Sequence, residues 1–353
     1  MTPQDVWYGD APAARLASAA LAPLGWAYCG IAALRAALYR RGWLESFAVG
    51  APVLVVGNLT VGGTGKTPLV RWLGARLRER GLRPGIAARG YRGSGERAPA
   101  VRPTVRPTVR LVPPDGDPAL FGDEPVLLAA DGNVPVAVGA DRVAVARALI
   151  REHGCDVVVT DDGLQHYRLR RCCEILVQDG ARGHGNGRCL PAGPLREPER
   201  RAARADLCIA TGGRPGLLGM ALVPGAAVSL AEPDRTLPLA GLAGRRVTAV
   251  AGIGNPARFF GMLEQHGIGV DARPYPDHHR FTAADMASWG SGPVLMTEKD
   301  AVKCRRLGPG AEHWLVPVRA VPDVAFIDAL DALLARRGVL GQGPAPGRPA
   351  GPA

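Results

Sequence analysis

Three observations predict an α/β fold, a parallel sheet flanked by helices and followed by a second, smaller α/β domain. An apolar run, Val53-Leu-Val-Val-Gly57, enters a glycine-rich turn and leaves it in an amphipathic pattern, which reads as strand, loop and helix start. Strand-like and helix-like segments then alternate to residue 178, the pattern of a doubly wound sheet whose ligand lies at the carboxyl ends of its strands. From residue 240 the alternation restarts, so the 353 residues divide into about two folded units.

Each element has its own signal. After the first strand, residues 68–80 carry Leu69, Val70, Leu73 and Leu77 at helical spacing and stop at Gly81. Residues 84–88 read as a short strand, and 92–118 as a glycine- and proline-rich insertion with the small repeat Arg102-Pro-Thr-Val-Arg-Pro-Thr-Val-Arg110. A helix opens at Gly122-Asp-Glu-Pro125 and runs to Ala130; 134–138 is a strand, and 141–153 a helix with Val143, Ala146, Leu149 and Ile150 on one face. Residues 155–162 are a buried strand ending in two acids, and 174–178 another strand. In the second unit, strands are expected at 246–251, 269–273 and 294–296, and helices at 256–266, 282–288 and 326–336. The expected division is 1–45 as an N-terminal membrane-associating segment, 46–240 as the core, 241–340 as the smaller domain closing over the site, and 341–353 as a disordered tail.

The turn after the first strand is built for phosphate. Thr60, Val61, Gly62, Gly63, Thr64, Gly65, Lys66 and Thr67 follow G-x-x-x-x-G-K-[ST] except at the first position, where Thr60 replaces glycine. Glycines let backbone N–H groups approach an anion, and the helix behind adds the positive end of its dipole. Lys66 can reach the terminal phosphates of ATP, and the Thr67 hydroxyl is placed to ligate Mg2+. A P-loop NTPase-type core follows, and of 43 basic residues only Lys66, Lys299 and Lys303 are lysine. Asp161 and Asp162 stand at a strand end, where such proteins hold magnesium or its waters. Adjacent strand residues point to opposite faces, so counting leaves open which of the two meets the metal.

Phosphoryl transfer to an alcohol also needs a base. Asp123 opens a helix near the ligand crevice and reads equally as a base or as a helix cap. His278 and His279 follow Asp277 in a loop of the second unit, where a histidine can tune a carboxylate across a cleft. The rigid loop 190–198 offers Arg196, a possible phosphate clamp, beside Glu197.

Composition restricts the partners. The net charge of +11 favours anionic ones without choosing among them, but no nucleic-acid-binding motif is present. Seven cysteines without C-x-x-C spacing indicate neither a disulfide framework nor a zinc site. Residues 16–34 are uncharged and, as a helix, would extend about 28 Å, close to a bilayer core of roughly 30 Å. Trp7, Tyr8, Trp26, Tyr28, Tyr39 and Trp43 are half of all tryptophans and tyrosines, and such rings favour the membrane interface. Arg35, Arg40 and Arg41 would meet acidic headgroups, whereas a secretory signal fits poorly because no basic residue precedes Arg15.

Six blocks together resemble the tetraacyldisaccharide 4′-kinases of lipid A biosynthesis. They are 56–68, Arg89-Gly-Tyr91, Gly122-Asp-Glu-Pro125, Asp161-Asp-Gly-Leu-Gln-His166, 190–198 and Met296-Thr-Glu-Lys-Asp-Ala-Val-Lys303, in family order. The resemblance implies a magnesium- and ATP-dependent kinase on the cytoplasmic face of the bacterial inner membrane, held there through its N-terminal helix. It would phosphorylate the 4′-hydroxyl of a glycolipid, a tetraacyldisaccharide 1-phosphate, with no nucleic acid and no obligate protein partner. It pairs Asp123 with His278 as the catalytic base and places Arg196 and Glu197 in the active site. Two positions depart from the family, Ala88 and His184, and neither belongs to the loop, the acids or the base. A membrane-bound nucleotide switch is the rival reading, separated by whether ATP consumption needs the glycolipid acceptor.

Overall fold

The computed structural model describes residues 2–90 and 109–340, so most of the Arg102–Arg110 repeat, Tyr91 and the tail lie outside the described residues. The helices are α1 (Pro3–Tyr8), α2 (Pro12–Arg40), α3 (Lys66–Glu79), α4 (Pro118–Phe121), α5 (Asp123–Ala129), α6 (Arg142–His153), α7 (Pro256–Gln265), α8 (Ala283–Ala287), α9 (Glu298–Cys304) and α10 (Val324–Arg336). The first eight strands are β1 (Val53–Gly57), β2 (Pro84–Ala88), β3 (Arg110–Val112), β4 (Val136–Val138), β5 (Val157–Thr160), β6 (Cys173–Asp179), β7 (Leu207–Thr211) and β8 (Leu218–Pro224). Then come β9 (Ala227–Ser229), β10 (Thr236–Leu237), β11 (Arg246–Ala251), β12 (Gly269–Pro274), β13 (Val294–Thr297), β14 (His313–Val316) and β15 (Val318–Pro322).

The larger sheet runs β15-β8-β7-β6-β1-β5-β2-β4-β3, parallel except at its two edges, where β15 and β3 are antiparallel. Helices cover both faces, which is why β1 is apolar at every position and not alternately. Leu54 and Val56 meet α3 through Leu69 and Leu73, while Val53 and Val55 join the cluster of α6 around Val145 and Leu149. Asp141 caps α6 by accepting from Val143 N at 2.9 Å. The central strand β1, flanked by β5 and β6, therefore delivers its following loop to the carboxyl-end crevice.

The second sheet runs β10-β9-β14-β13-β11-β12. Its membership departs from the division expected at residue 240, because β9 and β10 already belong to it, while β15 and α10 return to the larger sheet. Ala320 pairs with Leu222 of β8, and Phe326 of α10 packs on Trp72 of α3 with ring centroids 6.1 Å apart. The chain thus crosses twice between the sheets, side by side, with Gly225 N donating to Pro317 O at 2.8 Å. Only Pro317 separates β14 from β15, too short a break to register as a change of sheet in the sequence.

Helix α2 inverts the usual amphipathic order. Ala14, Ser18, Ala22, Gly25 and Ala36 face the protein, while Leu16, Leu24, Trp26, Ile31 and Leu34 are 60–72% exposed. Small residues are needed on the inner face: a Cβ on Gly25 would lie 2.9 Å from the Cys189 carbonyl oxygen. Ser18 Oγ donates to Ala192 O at 2.8 Å, and Tyr39 stacks on Tyr167 at 5.8 Å. The helix is long and apolar enough to cross a membrane, which is compatible with membrane association.

Candidate active site

The loop between β1 and α3 begins from a buried asparagine. Asn58 donates from Nδ2 to Gly62 O at 3.3 Å and accepts from Lys66 Nζ at 3.0 Å, so one side chain fixes both the turn and its lysine. Gly65, the N-cap of α3, has φ 89°, and a Cβ there would come within 2.8 Å of Thr211 Cγ2; glycine satisfies both demands. Val61, Gly62, Gly63, Thr64, Gly65, Lys66 and Thr67 line a cleft of about 1010 Å³. Thr60 lies beneath it, 4% exposed, and Val61 N is tied to Pro194 O at 2.9 Å.

The two acids behave differently. Both lie beyond the end of β5, so strand alternation does not apply to them. Asp162 takes a left-handed conformation, φ 53°, which aspartate tolerates, and turns its carboxylate to Arg196 Nη1 at 2.7 and 2.8 Å and towards Lys66 Nζ at 3.8 Å. Burial opposes its charge, but Lys66 and Arg196 outweigh burial and hold the carboxyl at about 2. Asp161 is 3% exposed, and its Oδ1 has no hydrogen-bond partner. Burial, reinforced by the nearby Glu124 charge, pushes its carboxyl upward.

Across the cleft, His278 Nδ1 lies 3.0 Å from Asp123 Oδ2 and 3.3 Å from Oδ1. Asp123 is the first residue of α5, behind Gly122 at φ 92°, and its Oδ1 also accepts from Glu124 N at 3.1 Å. His278 is held at φ 61°, a backbone cost of about 1–3 kcal/mol that aims the ring at Asp123. His279 turns away to Asp285 at 3.4 Å and stacks on Tyr275. Burial alone would raise the Asp123 carboxyl, yet the His278 hydrogen bond and the Lys299 charge hold it well below the usual range. The same bond to Asp123 raises the His278 imidazole.

Lys299 is a functional neighbour that sequence reasoning did not assign. Its Nζ lies 3.0 Å from Asp277 Oδ1, 3.1 Å from Glu124 Oε1 and 3.8 Å from Asp123 Oδ2, joining both walls of the cleft. Burial disfavours its charge, but the three carboxylates raise its pKa. Arg71 of α3 holds the preceding Glu298 at 2.8 Å, and Thr297 caps α9. The available signal was that lysine is rare in this chain and that two of the three lie in one block. Arg196 reaches the cleft, whereas Glu197 does not: it is 3% exposed and turns to the Tyr167 hydroxyl and to Arg201, 3.7 Å away. Ile253, Ala257, Phe259 and Met262 give the cleft an apolar wall.

The chain matches the family described as tetraacyldisaccharide-1-P 4′-kinase over residues 17–335. It is 51% identical over 319 residues to the tetraacyldisaccharide 4′-kinase of Alkalilimnicola ehrlichii, covering 90% of this chain and 92% of the relative. Identity to the tetraacyldisaccharide 4′-kinase of Xanthomonas euvesicatoria is 47% over 352 residues, covering 94% and 97%. The crystal structure of LpxK from Aquifex aeolicus in complex with ATP is similar with a TM-score of 0.71 at 26% identity, over 91% of this chain and 99% of that one.

Proposed function

Because the chain belongs to the tetraacyldisaccharide-1-phosphate 4′-kinase family, we propose that this cleft transfers the γ-phosphoryl group of ATP to the 4′-hydroxyl of a tetraacyldisaccharide 1-phosphate in lipid A biosynthesis. The observation that carries the reading is the Asp123–His278 contact, 3.0 Å long across 155 residues of sequence and facing the phosphate loop. Backbone N–H groups of residues 62–67 cradle the phosphates, Lys66 neutralises charge on the transferred group, and the apolar wall of α7 takes the purine face. Asp123 accepts the proton of the sugar hydroxyl, and Arg196 orients Asp162 at the donor end. The deciding experiment incubates the protein with magnesium, ATP and a detergent-solubilised lipid A precursor and asks by phosphorus NMR whether the 4′ position gains phosphate. ATP consumption indifferent to the acceptor would overturn the reading.

Magnesium fits the residues present. The Asp161 carboxylate carries a buried oxygen with no partner, and Thr67 offers a hydroxyl at the end of the loop, whereas Asp162 is engaged by Arg196 and Lys66. Asp161 and Thr67 would hold the ion, which would supply positive charge beside the transferred phosphoryl group. Asp161→Asn should raise the magnesium concentration for half-maximal turnover at least tenfold; an unchanged requirement would place the ion elsewhere.

The Asp123–His278 pair makes turnover depend on pH. The pair accepts a proton only when His278 is not already an imidazolium, so kcat/KM should rise with an apparent pKa above 6.5 that belongs to the pair. His278→Asn should remove that limb. The stabilising contact follows the opposite order. The raised pKa of His278 contributes stability that is full below about 6.5 and lost as pH rises through the folded value. The lowered pKa of Asp123 contributes stability present above about 3.9 and lost as pH falls.

In this reading the enzyme works on the cytoplasmic side of the inner membrane, with Arg35, Arg40 and Arg41 near acidic headgroups and the glycolipid acceptor entering from the bilayer; the exposed apolar face of α2 supports the membrane association.

A further inference from the structure

We infer that α1 is a positioning element of the nucleotide site, holding the phosphate loop and the 253–255 turn of the second sheet against each other through Gln4, Tyr8 and Arg182. Six residues are too few for a helix to persist unaided, and none of them is buried. A reciprocal cap between Thr2 and Asp5 closes one end of α1. The remaining support comes from distant contacts: Val6 and Trp7 are tied to Asn186 and Pro191, while Gln4 reaches the cleft. Gln4 Nε2 donates to Gly254 O at 2.9 Å, and Arg182 Nη1 donates to the same oxygen at 3.1 Å. The Arg182 guanidinium also lies 5.0 Å from the centre of the Tyr8 ring.

Gly254 is where this clasp meets the nucleotide site. A Cβ there would lie 2.7 Å from Gly63 N and 3.0 Å from Gly62 Cα, so two backbones are in direct contact and no side chain fits between them. From below, Asp179 accepts from Ala181 N and Arg182 N through Oδ1 at 3.1 Å each, and from Asn255 Nδ2 and Arg258 Nη1 through Oδ2 at 3.4 Å each. The turn is therefore held from two sides over the glycines that face the phosphates.

Residues 9–11 alone join α1 to α2, so the apolar helix and the nucleotide site are mechanically connected. Coupling between two sites is reciprocal: if docked α1 strengthens nucleotide binding, nucleotide must tighten α1. The inference rests on the loop being the ATP site, and Lys66→Ala tests that separately, since ATP affinity like the wild type in that variant would refute the loop assignment itself.

The test uses the full-length protein with ATP and magnesium, without acceptor. By calorimetry, Gln4→Ala and Arg182→Ala should each weaken ATP binding about three- to tenfold, the double variant more, and Arg182→Lys should recover part of the loss. In a separate turnover assay with the glycolipid acceptor, its KM should change less than twofold in Gln4→Ala. Hydrogen exchange should show ATP slowing the amides of residues 3–9. ATP affinity unchanged within twofold in both single variants, or exchange of residues 3–9 indifferent to ATP, would overturn the proposal.

Discussion

Replacing Asp123 by alanine is expected to lower kcat by about 10²–10⁴-fold, the range a positioned general base supplies, with ATP affinity within a few-fold of wild type. The separation follows from the geometry. Asp123 belongs to the wall of the cleft that faces His278 and Lys299, whereas the loop residues and Lys66 are organised by Asn58 and do not depend on it. Removing one carboxylate leaves Lys299 still in contact with Glu124 and Asp277, so the wall keeps two of its three anions. Asp123→Asn refines the test, because an amide can still accept from His278 but cannot take up a proton. Its kcat should fall as far as that of the alanine variant. Wild-type turnover in either variant would sink the assignment of the base, and equal loss of ATP binding would show a structural role.

The phosphate loop was legible because its demands are local. An anion site needs glycine backbone, a lysine and a hydroxyl at fixed spacing, and the sequence displays all of them between a strand and a helix. Asn58 escaped because it looks like the polar end of a strand, and only its bonds to Gly62 and Lys66 reveal a support. The Asp123–His278 pair was not legible from spacing at all. Asp123 had an adequate reading as a cap, and family resemblance, not periodicity, joined the two residues. Lys299 stayed hidden for the same reason: a buried cation is recognised by the carboxylates around it, and those come from α5 and from the loop before α8.

Elsewhere, proximity in sequence misled. Arg196 and Glu197 are adjacent, yet one enters the cleft and the other goes under it to Tyr167 and Arg201. The acids at 161 and 162 were read by the two-residue period of a strand, but β5 ends at Thr160, and the left-handed backbone of Asp162 sets its direction instead. The division at residue 240 followed the restart of the strand–helix alternation, whereas sheet membership follows pairing between strands nearly a hundred residues apart, such as β8 with β15. Such pairing depends on the assembled sheet, which a local pattern does not encode.

Leu24→Glu combined with Ile31→Glu should release the protein from vesicles of mixed phosphatidylethanolamine and phosphatidylglycerol while leaving ATP binding intact. Both side chains stand well clear of the protein, at 60% and 70% exposed, so the folded structure loses little by the change. Burying a leucine or isoleucine contributes about 1.5–3 kcal/mol, so two of them account for about 3–6 kcal/mol, or roughly 10²–10⁴ in partitioning. Two carboxylates facing an anionic surface add repulsion in the same direction. Gly25→Leu provides the opposite perturbation, because the new side chain would strike the Cys189 carbonyl and pry α2 from the 189–192 loop while sparing the apolar face. It should still float with vesicles but lose turnover. Flotation of the double glutamate variant like wild type would mean that the exposed face of α2 is not what meets the bilayer, and the inverted order of that helix would then need another partner.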